Sequence, residues 1–231
     1  MLSRSSGIIF YNKKIKDNDL YIRILNSNDE VDSGMVYGGN SSKKKLIYQN
    51  GYFVDYSFTK KNINFPPTFL AEISKPYIGN IFNDKYKMSA LLSILSLINL
   101  SIIEGQNIKG LYKGIHNLIN EIIIEDHWIS FYCQWLFKLL KTIGYEIDYK
   151  NNIDKRYYNI IRQDFFKTYG NNNIEFPHYV FAKTPLINYK NIRTIFNIFE
   201  SVFLKNHLDN DNHKMPINYT NFKKIILNRL K

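Results

Sequence analysis

The chain has 231 residues, 45% of them apolar, 16% aromatic and 22% charged, which is enough apolar material for a real core and excludes wholesale disorder. Its one cysteine, Cys133, excludes an internal disulfide and a cysteine-rich zinc site and fits a reducing cytosol. A formal charge of +11 points to a polyanionic partner, nucleic acid first. Only six of the 31 basic residues are arginine, and Asn, Ile, Tyr and Phe are abundant, so AT-rich codon usage accounts for part of that charge.

The start, MLSRSSGIIFYNKKIKD, has only four consecutive apolar residues and lacks the apolar region of a signal peptide. Residues 7–11 and 20–25 read as strands, the second with Leu20, Ile22 and Ile24 on one face. Between them, residues 13–19 (KKIKDND) form a polar turn. Residues 31–37 make a third strand, ended by Gly38-Gly39-Asn40. Residues 51–58 alternate again, with Tyr52, Val54, Tyr56 and Phe58 facing one way. After Pro66-Pro67, residues 68–73 supply a fifth strand. Five short strands in about 70 residues predict a small barrel. An OB-fold and an SH3-like barrel both have this pattern.

Residues 80–144 read as a three-helix bundle. Residues 88–104 carry Leu91, Leu92, Leu95 and Ile98; Leu111, Ile115, Leu118, Ile119 and Ile122 form a second stripe; Trp128, Phe131, Trp135, Leu139 and Ile143 form a third, read as core, with Gly144 at the helix end. The apolar run 91–103 is too short to span a bilayer, so no membrane association is expected. Residues 145–187 read as irregular, and helices return at 188–208 and after Pro216. The expected fold is α+β: a five-stranded barrel over 1–79, then a helical domain over 80–231, made of a bundle (80–144), an irregular stretch (145–187) and terminal helices (188–231).

Catalytic chemistry is not legible. The five histidines, His116, His127, His178, His207 and His213, do not pair at metal-ligand spacing. The Asp209-Asn210-Asp211-Asn212 run lacks the glycine and distal glutamate of a calcium loop. Cys133 lies on the tryptophan-bearing helix as a small hydrophobe, and no phosphate-cradling glycine loop or nucleophile elbow occurs. A non-catalytic binding protein with no cofactor and no metal is expected.

The binding features are clearer. Residues 1–80 carry eleven basic and seven acidic side chains, residues 81–150 seven of each, and residues 151–231 thirteen and six, so two basic ends flank a neutral middle. Gly38-Gly39-Asn40-Ser41-Ser42-Lys43-Lys44-Lys45 joins a glycine turn, two hydroxyls and a lysine run between two strands. Lys43, Lys44 and Lys45 can follow a phosphate backbone, and Ser41 and Ser42 can donate to its oxygens. Tyr21 and Arg23 alternate away from the apolar face of their strand, where a ring beside a cation can stack a base and hold its phosphate. Lys13 and Lys14 of the first turn complete the expected DNA-binding set.

The order of these features resembles the RecO family of bacterial recombination and repair mediators, especially its alphaproteobacterial members. SSGIIFYNKK looks like that family's first strand. VDSGMVYGGNSSKKKLIYQNGYFVDY is similar to its strand, small-residue turn, serine and basic loop, with Gln49 matching a glutamine and Asn50 replacing the usual proline. WISFYCQWLFKLLKTIGYEID resembles its long helix, ending here at Gly144-Tyr145, and the helix after Lys214-Met215-Pro216 also fits. The resemblance implies an OB-fold, a helical domain and no catalysis. It implies binding of single- and double-stranded DNA, annealing of complementary strands, and contact with the C-terminal tail of single-strand-binding protein. With RecR it implies loading of the RecA recombinase, in the bacterial cytoplasm at the nucleoid.

Three departures stand out. Many members carry a four-cysteine zinc site after the helix that here ends at Gly144, whereas residues 146–152 (EIDYKNN) hold no cysteine. Tyr37 stands where relatives often have Lys or Arg and is expected to stack instead. Tyr219-Thr220 replaces a Ser-Arg pair. The acidic tail needs an apolar pocket rimmed by cations, for which Lys109, Lys113, Lys138 and Lys141 on the helices are expected. Two other readings compete: an RNA-binding OB-fold protein of translation, and a structural adaptor whose charge is only codon bias.

Overall fold

Alternating apolar residues close into a barrel in the computed structural model, which describes residues 2–16, 18–60, 62, 65–208 and 214–231. The chain divides into two compact units, Met1–Ile123 and Ile124–Lys231. The Asp209–Asn212 run and His213, read above as a poor cation loop, lie outside the described residues.

In the first unit, β1 (Leu2–Lys14), β2 (Leu20–Asn26), β3 (Val31–Val36), β4 (Phe53–Thr59) and β5 (Thr68–Lys75) form a closed barrel of order β1-β2-β3-β5-β4. All pairs are antiparallel except β3 with β5, which run parallel where Met35 meets Thr68. This is the five-stranded OB-type closure. The strand β1 is long because it serves two partners. Its first half pairs with β4 and its second half with β2, with an irregularity between Ile9 and Tyr11. The predicted faces are the observed ones: Leu20, Ile22, Ile24, Val54 and Tyr56 fill the core, and Tyr52 and Phe58 pack against it.

The parallel seam demands close approach. A Cβ on Gly34 would stand 2.3 Å from the Pro67 carbonyl oxygen, so only glycine lets β3 meet β5. Beyond that seam Tyr48, 2% exposed, enters the barrel core from the β3–β4 loop. Its hydroxyl accepts from Ala71 N at 3.1 Å, satisfying a buried strand donor.

Helices α1 (Lys85–Ser101) and α2 (Leu111–Ile124) follow the barrel. Their ends are closed by side chains from elsewhere in this unit. Asp84 caps α1, accepting from Tyr86 N and Lys87 N. The β2–β3 turn presents Asp29, whose carboxylate accepts from Gly110 N at 2.6 Å and Tyr112 N at 2.8 Å at the start of α2. Lys87 donates to Ile123 O at the end of α2. The stripe Leu111, Ile115, Leu118, Ile119 and Ile122 is buried as its spacing predicts.

The second unit contains α3 (Trp128–Thr142), α4 (Tyr189–His207) and α5 (Ile217–Arg229). Helix α3 ends at Gly144, with φ +95°. Asn188 caps α4 through Asn191 N at 2.9 Å. Tyr132 of α3 and Phe222 of α5 pack with ring centroids 4.5 Å apart, and Lys223 bridges to Glu200 of α4 at 2.7 Å. The helices of residues 80–144 are therefore shared between units: α1 packs on β1, and α3 packs on α4.

Residues 145–187, expected to be irregular, hold a three-stranded antiparallel sheet of order β7-β6-β8, from β6 (Tyr157–Asn159), β7 (Asp164–Phe166) and β8 (Asn173–Glu175). Each strand has three residues, too few for an alternation to show in the sequence.

Candidate nucleic-acid interface

The end of the β1–β2 hairpin and the β3–β4 loop carry the lysine runs, and hydrogen bonds fasten them together. The β1–β2 hairpin closes through Ile15 N to Asp19 O and Asp19 N to Lys16 O. Gly38, with φ +65°, turns the chain out of β3 and donates its N–H to Asp19 Oδ1 at 2.8 Å. Asn40 N donates to Asn18 O at 2.7 Å. A helical turn follows, with Lys45 N donating to Ser41 O at 2.9 Å. The far end of the loop is rooted by Tyr48 and by Asn12 Nδ2 donating to Tyr48 O at 2.6 Å.

This wiring places Lys13 and Lys14, the last residues of β1, and Lys16 of the β1–β2 turn directly beside the loop bearing Lys43, Lys44 and Lys45. All six are exposed. None joins an ion pair among the described residues; Lys44 Nζ donates only to Tyr37 O, at 3.1 Å. Tyr37 is 56% exposed at the junction. Ser42 is exposed and Ser41 half-buried. On the adjoining outer face, Lys13, Tyr21 and Met35 form one row across β1, β2 and β3. The expected lysines, Tyr21 and Tyr37 thus share one end of the barrel. Lys16 belongs with them, and the bond from Asp19 to Gly38 that joins the loops has no signature in the sequence.

Arg23 does not stay with Tyr21 as a free cation. Its guanidinium donates to Asn99 Oδ1 at 2.6 Å and to Ile102 O at 2.8 Å, closing the C-terminus of α1. It lies 4.9 Å from the centroid of the Phe10 ring. Burial lowers its pKa, while Tyr21, Glu104 and Tyr11 oppose the shift. Its site is the end of α1, which the alternation of β2 alone does not disclose. Replacing Arg23 with Ala is expected to lower stability by about 1.5–3 kcal/mol, the range for hydrogen bonds to a charged group. Lysine should rescue little, because it cannot span two acceptors with one planar fork. Urea denaturation of Arg23→Ala and Arg23→Lys checks this; full rescue by lysine would contradict the forked geometry.

The four helix lysines fall in different units. Lys109 and Lys113 are exposed at the start of α2, in the first unit. Lys138 and Lys141 are exposed on α3, in the second, where Lys141 pairs with Glu146 at 2.5 Å.

Other groups weighed in the sequence take structural places. Cys133 is fully buried in α3, and burial pushes its thiol pKa up. His207 packs on Phe203, with centroids 5.0 Å apart. Among the described residues no group of three or more His, Cys, Asp or Glu is placed to hold a metal ion. Residues 146–152 do not fit a cysteine zinc site; Tyr149 packs there in an aromatic cluster with Phe137, Phe176 and Phe181. No helix among the described residues is long and apolar enough to cross a membrane.

No family model matches the chain. Among curated proteins it is similar to the DNA repair protein RecO of Rickettsia bellii (strain OSU 85-389), 28% identical over 143 residues, covering 62% of this chain and 58% of that protein. The DNA repair protein RecO of Hyphomonas neptunium is 26% identical over 144 residues, covering 62% and 59%. That of Rickettsia canadensis is 28% identical over 142 residues, covering 62% and 58%. The match thus spans under two thirds of the length of these relatives. The resemblance read from the motifs, to RecO proteins with alphaproteobacterial affinity, agrees with these relatives.

Proposed function

We propose that this chain is a non-catalytic DNA-binding mediator of recombinational DNA repair. It binds and anneals single-stranded DNA and also binds duplex. With RecR and the C-terminal tail of single-strand-binding protein, it promotes RecA loading in the bacterial cytoplasm, at the nucleoid. The observation that carries this reading is the pair of lysine loops joined through Asp19–Gly38 and Asn18–Asn40 at one end of an OB-type barrel. Six exposed cations beside Tyr37 and Tyr21, none in an ion pair among the described residues, suit a flexible phosphate backbone with bases free to stack. Lys43, Lys44, Lys45, Lys13 and Lys14 hold phosphates, Ser41 and Ser42 donate to their oxygens, and Tyr21 and Tyr37 stack. Arg23 supports the face from the end of α1. The likeness to DNA repair proteins supports the same reading.

Filter binding with a single-stranded oligodeoxynucleotide, a DNA duplex and a structured RNA as competitors tests it. Both DNAs should bind, the single strand in preference to the RNA. Preference for the RNA would favour a translation protein, and no binding to any of the three would favour an adaptor.

For the acidic tail, Lys138 and Lys141 supply the cationic rim in the second unit, and Lys109 and Lys113 offer a second cationic site in the first. The Lys141–Glu146 pair is exposed and yields readily to a competing carboxylate. Replacing Lys138 and Lys141 with Glu should weaken binding of a tail peptide about tenfold or more, as like charges at an interface oppose association. Unchanged affinity in a peptide titration would move the rim off α3.

A further inference from the structure

The sheet of the second unit has two unlike faces. The inner row, Phe165 and Tyr158, is buried against Phe176, with Phe165 and Phe176 centroids 4.9 Å apart. The outer row runs from Phe166 to Tyr157 to Glu175. Tyr169, 78% exposed, leans edge-on against Tyr157 at 5.7 Å. Arg162 lies 5.9 Å from the Phe166 ring and Arg156 lies 5.8 Å from the Tyr157 ring. Aromatic rings and guanidinium groups thus alternate across one sheet surface.

A cleft of about 360 Å3 opens beside it, lined by Arg162, Phe166, Tyr169 and the amide-rich loop 171–173. Asn159 builds this cleft: it donates to Asn171 O and Asn173 Oδ1 and accepts from Ile161 N and Arg162 N, which fixes both turns. Lys205 adds a cation, donating to Ile161 O at 3.1 Å. The charges leave a positive excess: Glu175 is matched by Arg156 and Lys190 and Asp154 by Lys167, while Arg162 and Lys205, two cations against the exposed carboxylate of Asp164 on the same face, join no ion pair among the described residues. A ligand for this face needs flat apolar rings and negative charge at intervals along a flexible chain, which is the chemistry of single-stranded nucleic acid.

We propose that the outer face of this sheet is a second site for single-stranded DNA, where Tyr169 and Phe166 stack bases and Arg162 holds phosphate. The choice of DNA as polymer rests on the function proposed above; the site shares no residue with the barrel loops. A chain with two such sites can hold two strands at once, which is what annealing needs.

Photo-crosslinking of the full chain to an oligonucleotide bearing 5-iododeoxyuridine, with peptide mapping, tests this. Crosslinks should appear within residues 157–175 and persist when Lys43, Lys44 and Lys45 are all replaced by Ala. The double variant Tyr169→Ala/Arg162→Ala should lose those crosslinks and bind single strands about tenfold more weakly, the scale of one lost stacked base. Tyr169→Phe should retain both. Because Tyr169 is largely exposed, its removal leaves the core intact. If crosslinks fall only on the barrel and the double variant binds as the wild type does, this site is refuted while the barrel reading stands; a face used by a protein partner would give that result. If neither region crosslinks, both fail.

Discussion

Tyr48→Ala should lower the stability of the barrel by about 3–5 kcal/mol, the range for truncating a large buried aromatic. That is a large part of the roughly 5–15 kcal/mol that holds a typical domain folded. The ring is 2% exposed among the core residues, and its hydroxyl is the partner of the Ala71 N–H, which β3 does not reach. Tyr48→Phe keeps the ring and orphans that one donor, so it should lose only about 1–3 kcal/mol. Urea denaturation followed by circular dichroism separates the two. The alanine variant should also bind DNA less well at temperatures where it remains folded, because Tyr48 roots the loop that carries Lys43, Lys44 and Lys45. Equal losses for Ala and Phe would mean that the ring does not anchor the loop.

Replacing Lys43, Lys44 and Lys45 together with Ala should have the largest effect on binding. Each phosphate neutralised on a single strand contributes roughly 0.7 to the slope of log affinity against log salt. The triple variant should therefore flatten that slope by about 2 and weaken binding at 0.1 M salt by about a hundredfold. Stability should change by less than about 0.5 kcal/mol, since all three side chains are exposed and none forms an ion pair among the described residues. Base preference should not change, because backbone contacts carry no sequence information. A folded triple variant with the wild-type slope would move the DNA path elsewhere, to the face of the small sheet first.

What was legible in the sequence is what repeats locally. The period of two in Leu20, Ile22 and Ile24 and the helical stripe from Leu111 to Ile122 appear in the structure on the buried faces expected of them. The lysine runs stand out by count. What escaped depends on residues far apart in the chain. An OB-type barrel differs from its rival in the parallel meeting of Met35 with Thr68, and no local pattern encodes that. Alternation brings Arg23 to the outside of β2, but its partner Asn99 lies 76 residues away. Asp29 reads as a turn residue, and only the fold makes it the cap of α2. The small sheet is held by the bonds of Asn159 and by Phe165 on Phe176, and strands of three residues give no period to detect. The two lysine segments are far apart in the chain, and the bond that Gly38 N donates to Asp19, 19 residues earlier, makes them one surface.

The most direct test of that surface needs no substitution. Lysine acetylation of the full chain, read residue by residue by mass spectrometry with and without a saturating oligodeoxynucleotide, reports which ammonium groups DNA covers. Lys13, Lys14, Lys43, Lys44 and Lys45 should be protected together, while Lys109 and Lys113 label equally in both samples. Equal labelling of these five lysines with and without bound DNA would contradict the account.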